Sequence, residues 1–293
     1  MIPFWYIIIF IFGTLIGSFL NVLVLRYNTG QSIVNDRSRC FSCGKTLRWF
    51  ELIPVLSFLF QKGRCSNCHT KISKQYILVE ILTGLIFLLV FIKIIPDFSL
   101  PREITPYLMG LIYENLFSYL LPLISYLFLF SILIAISVYD YRHKIIPDGL
   151  SYTFIILSFL SALYIFLTGG VYLNLLAGII ISLPFFLLWL VSRGAWMGFG
   201  DVKLALGIGF LLGIPSGIYA IVLAFWIGGL VGIILLSLSA ISKKAVNNNQ
   251  LLILGKRFTI KSEIPFGPFL ILGTFLAFMF EWDFLHLGII LGV

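Results

Sequence analysis

The sequence predicts an all-α polytopic membrane protein: about eight transmembrane helices, with a small zinc-binding cytosolic domain between the first and the second. Three observations carry this prediction. Hydrophobic residues make up 60% of the 293 and charged ones only 11%, against about 25% charged in ordinary soluble domains. Apolar runs of about 20 residues, each able to cross a hydrocarbon slab roughly 30 Å thick, recur along the whole chain. The runs are continuous rather than alternating, and lipid offers the backbone no partners, so helices are favoured over a barrel.

In chain order the predicted spans are residues 3–25, 76–95, 119–139, 150–167, 174–192, 202–214, 216–240 and 266–290. The first run begins without a basic region and has no small-residue cleavage site before Arg26, so it is read as a retained helix and not a signal peptide. The run 202–214 ends at Gly213-Ile214-Pro215 and reads as a half-length or tilted helix. The run 107–139 is interrupted by Pro122 and reads as starting with an interfacial segment.

A net charge of +8 would suggest nucleic acid as the partner of a soluble protein. Here it is a topology signal, and no nucleic acid is expected. With the N-terminus extracytoplasmic, the loops 26–75, 140–149, 193–201 and 241–265 and their flanking helix ends hold 18 of the 20 Lys and Arg residues. Only Lys93 and Arg102 fall on the other side, so the positive-inside rule selects this orientation. The loop 241–265, with Asn247-Asn248-Asn249, reads as a linker.

Residues 26–75 carry nine basic residues, an apolar middle from Phe50 to Phe60, and all four cysteines of the chain. Cys40, Cys43, Cys65 and Cys68 form C-x2-C, a 21-residue gap, and C-x2-C. Two such knuckles bring four thiolates to the corners of a tetrahedron, which suits Zn2+ in a closed, structural site. Gly44 and His69 follow the knuckles where each must turn. The rival readings are two disulfides or an iron site. A cytosolic location keeps thiols reduced, which disfavours the first, and zinc is preferred over iron.

Three of the twelve acids, Glu80, Asp140 and Asp201, lie within or at the ends of apolar spans. An ionisable residue at such a place is a functional candidate by default. The predicted topology puts Asp140 and Asp201 at the cytosolic boundary, 61 residues apart and bridged by two full spans. Two carboxyl groups in one partly desolvated site favour holding a single proton, the arrangement of aspartic proteases. Gly198 and Gly200 would let a peptide backbone approach Asp201 closely. The competing structural readings are an ion pair of Asp140 with Arg142 or Lys144, and helix capping by Asp201. Asp148 also looks like a capping residue.

These residues stand in an order that resembles the bacterial type IV prepilin peptidases, bifunctional leader peptidases and N-methyltransferases among the G-x-G-D membrane aspartyl proteases. The likeness covers nearly the whole chain. It runs through Gly17-Ser-Phe-Leu-Asn21-Val22 with Arg26, the cysteine tetrad, Glu80 in Leu-Val-Glu-Ile-Leu-Thr-Gly, and Asp140 before Ile146-Pro147-Asp148. It ends with Gly198-Phe-Gly-Asp201-Val-Lys203 and Pro265-Phe266-Gly267-Pro268-Phe269.

The resemblance implies Asp140 and Asp201 as the catalytic pair, supported by Gly198, Gly200 and Lys203, and the four cysteines as zinc ligands. Asp148 matches an aspartate outside the pair. It further implies cleavage after a glycine of prepilins and pseudopilins at the cytosolic face of a bacterial inner membrane. Methylation of the new N-terminus by S-adenosylmethionine is implied as well. Residues 1–118 would then be the methyltransferase-associated region, with its zinc domain at 26–75, and 119–293 a six-helix peptidase domain.

No dinucleotide-type glycine fingerprint marks a cofactor site. Asn21, Arg26 and Glu80 are the candidates for it, although Asn21 and Glu80 could instead hydrogen-bond to each other as helix glue. Gly13, Gly17 and Asn21 share one helix face, a pattern of close helix packing. Three other functions compete: a peptidase-only member, a proton-coupled transporter using the same aspartates, and a non-catalytic filament assembly factor. The sequence shows none of the internal repeats that would favour a transporter, and the intact aspartate pair argues against an assembly factor.

Overall fold

Continuous apolar runs leave a lipid-embedded backbone only its own carbonyls to bond, so each folds as a helix. A computed structural model describes residues 4–95, 116–169, 171–245 and 264–280. Among them are α1 (Phe4–Arg26), α2 (Leu56–Phe60), α3 (Gln75–Ile94), α4 (Leu116–His143), α5 (Asp148–Leu167), α6 (Leu173–Ser192), α7 (Phe199–Ala245) and α8 (Gly267–Phe280). The only strand pairing among the described residues is two isolated bridges, Arg39 with Thr46 and Arg64 with Lys71.

Six of these helices, α1 and α3 to α7, are long and apolar enough to cross a membrane. The protein is therefore all-helical and multi-pass. Eight separate crossings are not established. The predicted spans 202–214 and 216–240 both fall inside α7, and the predicted 266–290 is described only to Phe280. The predicted interfacial start at 107–115 lies outside the described residues, while α4 runs unbroken through Pro122.

The chain divides into two compact units, Met1–Val138 and Tyr139–Val293. In the first, α1 and α3 pack antiparallel: Tyr6 meets Phe91 edge to face, Phe12 meets Phe87, and the Asn21 amide donates to the Tyr76 carbonyl at 3.2 Å. The seam is closed by small residues. A Cβ on Gly17 would lie 2.8 Å from the Glu80 Cα, so the two backbones meet where a side chain would hold them apart. The predicted packing role of Gly13 and Gly17 is what the helices use.

In the second unit α7 is the hub, packing on α5, α6 and α8. It is 47 residues long, about 70 Å if straight, more than twice the hydrocarbon thickness. It is not straight. Gly213 has φ 75° and ψ −176°, open to glycine but strained for any other residue, and Pro215 follows. A Cβ on Gly217 would sit 3.8 Å from the Gly209 Cα, whereas eight residues of continuous helix rise about 12 Å. The chain therefore doubles back at 213–215, and the arm 199–212, about 21 Å long, is the half-length helix predicted from the sequence.

Gly17→Leu drives a side chain into the α3 backbone and is expected to cost about 1–3 kcal/mol, read as a lowered thermal midpoint of the purified protein in detergent. Leu15→Ala, on the half-exposed side of the same helix, serves as the control and leaves the midpoint nearly unchanged. Equal midpoints for the two variants would contradict the seam.

Candidate functional site

Asp140 lies in the last turn of α4 and is only 4% exposed. Its carboxylate accepts a hydrogen bond from the Gly267 amide at 3.1 Å. Gly267 opens α8, and the first amides of a helix have no partner within it, so this end of α8 is free to donate to an anion. The approach is tight: a Cβ on Gly267 would fall 2.6 Å from Asp140 Oδ2.

Asp201 sits in the first turn of α7, is 9% exposed, and lies close enough to Asp140 for their charges to interact. Its amide donates to the Gly198 carbonyl at 3.2 Å, and a Cβ on Gly198 would be 3.8 Å from Asp201 Oδ2. The flank of this carboxylate is therefore lined by backbone. Gly200 has a different task, because Ile146 packs directly on it, with its Cβ 2.7 Å from where a Cβ would stand.

Asp148 does not cap its helix. Pro147 occupies the cap position without a side-chain bond, and Asp148 forms an ion pair with Lys203. The Lys203 ammonium also lies 5.0 Å from the centre of the Tyr152 ring and 5.5 Å from that of Phe199. Ile146 on Gly200 and Asp148 on Lys203 together clasp the segment that carries Asp201. Lys203 thus acts two residues away from the acid, through the backbone they share.

In the first unit the cysteine sulfurs of residues 40, 43, 65 and 68 all lie within 4.8 Å of one another, with Cys40 Sγ and Cys68 Sγ 3.8 Å apart. Four sulfurs at about 2.3 Å from a tetrahedral ion are about 3.8 Å apart, so the cluster is close to the size that four thiolate ligands of one ion require. The two knuckles are copies offset by 25 residues. Gly44 N donates to Cys40 O as His69 N does to Cys65 O, and Cys40 N to Lys45 O as Cys65 N to Thr70 O. Gly44 (φ 72°) and His69 (φ 55°) take the same left-handed turn, as their positions predicted. The Thr70 hydroxyl and amide hold the Cys68 thiol down to about 6, so this residue offers a thiolate at neutral pH, and the amides of Cys68 and Asn67 lower Cys65, whereas Cys40 is raised.

Glu51, which the sequence reading passed over, ties the knuckles together. It accepts from Arg48 N at 2.8 Å, from Lys45 Nζ at 2.8 Å beside the first knuckle, and from the Ser66 hydroxyl inside the second. The Arg48 amide, then Lys45 and Ser66, pull its carboxyl down to about 2. A signal existed: Glu51 and Asp36 are the only acids in 26–75, among nine basic residues. Gly267 stands in the Pro265-Phe266-Gly267-Pro268-Phe269 motif, and nothing in sequence periodicity links it to an aspartate 127 residues earlier.

The three cofactor candidates are occupied differently. Arg26 donates to the carbonyls of Ser32, Asp36 and Arg37 at 2.7–3.2 Å and so shapes the loop that follows α1. Glu80 accepts from Val55 N at 2.7 Å. Asn21 bonds Tyr76, while its own buried Oδ1 has no partner among the described residues. Asn21 and Glu80 thus bond Tyr76 and Val55.

The chain matches the model of the bacterial peptidase A24 N-terminal domain over residues 11–94 and that of the type IV leader peptidase family over 127–233. It is 31% identical over 253 residues to the prepilin leader peptidase/N-methyltransferase of Myxococcus xanthus, covering 85% of this chain and 68% of that protein. The protein of the same name from Bacillus subtilis is 29% identical over 273 residues, 93% of each chain. No solved structure matches.

Because its folded pKa lies below the ordinary 4.5 of a glutamate, Glu51 stabilises the knuckle domain fully above about pH 4.5 and loses that contribution as pH falls toward 2. Glu51→Gln should therefore speed proteolysis within 26–74 at pH 7, and the gap between variant and wild type should narrow with acid. A gap independent of pH would contradict the charge-assisted role.

Proposed function

This chain belongs to the type IV leader peptidase family, and from that premise we propose that it removes the leader of type IV prepilins and pseudopilins with Asp140 and Asp201, and methylates the N-terminus it creates. It is a peptidase with methyltransferase activity. The observation that carries the aspartate assignment is the buried pair itself: two acids at the ends of different helices, within electrostatic reach, one anchored by a helix-terminal amide.

In such a pair one carboxyl carries a proton and polarises the scissile carbonyl, while the ionised partner takes a proton from the attacking water. Proton transfer to the leaving amine then completes cleavage. The Gly267 amide fixes which way Asp140 faces, and a fixed carboxylate needs no reorientation in the transition state. Gly198 leaves the flank of Asp201 open to an extended backbone. The Ile146 and Asp148 clasp orients Asp201 through the backbone on either side of it.

The substrates are membrane-inserted, with a short basic leader, a glycine and then an apolar helix, and are cut after the glycine. The excess of Lys and Arg in the loops supports a site at the cytosolic face of the inner membrane, with the N-terminus outside. Residues 119–293 would form the peptidase domain and 1–118 the methyltransferase region. The four cysteines hold Zn2+ as a structural ion, since four thiolates leave no open coordination position. S-adenosylmethionine supplies an electrophilic methyl group when bound. The residues that receive it belong to the first region, where the unpartnered Asn21 Oδ1 is a free acceptor.

Asp140→Asn and Asp201→Asn should each lower cleavage of a co-expressed prepilin by at least about a hundredfold while the protein still inserts in the membrane. Wild-type cleavage by either variant would overturn the assignment. Gly267→Ala, which keeps both acids but displaces one, is expected to lose about ten- to a hundredfold in kcat. Cys40→Ser should lower the zinc bound per purified chain, measured by elemental analysis, from one equivalent to well under half.

A further inference from the structure

We infer that residues 49–60 form a foot seated in the headgroup layer of the phospholipid bilayer, which holds the cysteine domain down against the membrane. Three observations converge on this. The first is an apolar surface where a water-exposed loop should have none: Trp49 is 78% exposed, Leu56 50%, Leu59 58% and Phe60 82%, with Phe50 and Leu52 exposed beside them. An aqueous surface rarely leaves so many large apolar side chains contiguous, while Trp and Phe are favoured at the membrane interface.

The second is depth. Glu80, the sixth residue of α3, lies about 7.5 Å inside a membrane-spanning helix. Its carboxylate accepts from Val55 N at 2.7 Å, with the Ser18 hydroxyl of α1 also bonding it. The middle of the 49–60 segment is thereby drawn to the level of the second turn of α3. Val55 takes φ 61° to reach it, a rare conformation for a β-branched residue, held because an intramembrane carboxylate has few other donors. The exposed apolar side chains on either side of Val55 are thus carried to interfacial depth.

The third is charge. Arg48 precedes the apolar run and Lys62 and Arg64 follow it, so cations stand at both ends, where lipid phosphates lie. Short apolar segments rimmed by basic residues bind the interface in this way. The occupant we assign is the bilayer itself. A protein partner or a substrate helix would need the same surface free and exposed to water when that partner is absent.

The test places the full chain, with no other protein, in nanodiscs containing anionic phospholipid. Trp49 emission is obtained as the difference between wild type and Trp49→Phe. If the foot is seated, phospholipids brominated near the top of the acyl chains quench this signal by more than about half, and acrylamide in the water quenches it little. Quenching by acrylamide but not by bromolipid would overturn the proposal and give the surface to a protein partner. Zinc content and thermal midpoint equal to wild type show that Trp49→Phe is folded. Leu59→Ser with Phe60→Ser supplies the second arm: it should shift Trp49 toward acrylamide access, and an unshifted pattern would likewise count against the foot.

Discussion

A polar group inside or beside a hydrocarbon slab must find its hydrogen-bond partners within the protein. That constraint makes every span a helix, and it also accounts for the distant backbone amides that the two acids take as partners. Asp140 takes the first amide of α8, and Glu80 takes the amide of Val55. Each acid captures a backbone N–H from an element far away in sequence. The same demand explains why glycine stands at the seams: Gly267 and Gly17 allow approaches that a methyl group would block. Polar satisfaction and close packing are here two aspects of one geometry.

The cysteine domain solves a different problem. A loop of about 50 residues buries little apolar surface and is marginal by itself. It folds as two copies of one knuckle, each turning on a left-handed residue, with their thiols gathered to a point and Glu51 bridging the copies from the side. On the proposed reading, a metal ion bound by the four thiolates supplies folding free energy that so small a core does not. The apolar residues of this loop are then left over for another purpose, and their exposure on Trp49 and Phe60 follows from the same shortage of core.

Much of this was legible in the sequence because it depends on local patterns. Apolar runs announced the helices, the two C-x2-C motifs announced the cluster, and Gly44 and His69 announced the turns. Gly213-Ile214-Pro215 marked the break in α7, although the backbone there joins what looked like two separate spans. What stayed hidden depends on tertiary contact. Nothing near Asp148 shows that Lys203 waits for it 55 residues later, so capping was the natural reading of an acid after Pro147. Glu51 was hidden for the same reason: its three donors come from both knuckles, and no spacing rule connects them.

The doubled-back α7 explains why Asp201 can sit where it does. A helix spanning the full slab would bury its middle and leave its ends to fray at the interface. The arm 199–212 is about 21 Å long, returns on itself at Gly213, and packs against α5 and α6. Its first turn is held by Ile146 on Gly200 and by Asp148 on Lys203, on either side of the acid. The α7 N-terminus is therefore a fixed platform and not a frayed end. A dyad requires that its two carboxyls keep their separation through the reaction. On the proposed assignment, with Asp140 bonded by the first amide of α8 and Asp201 flanked by the Ile146 and Asp148 contacts, that separation is set by helix packing.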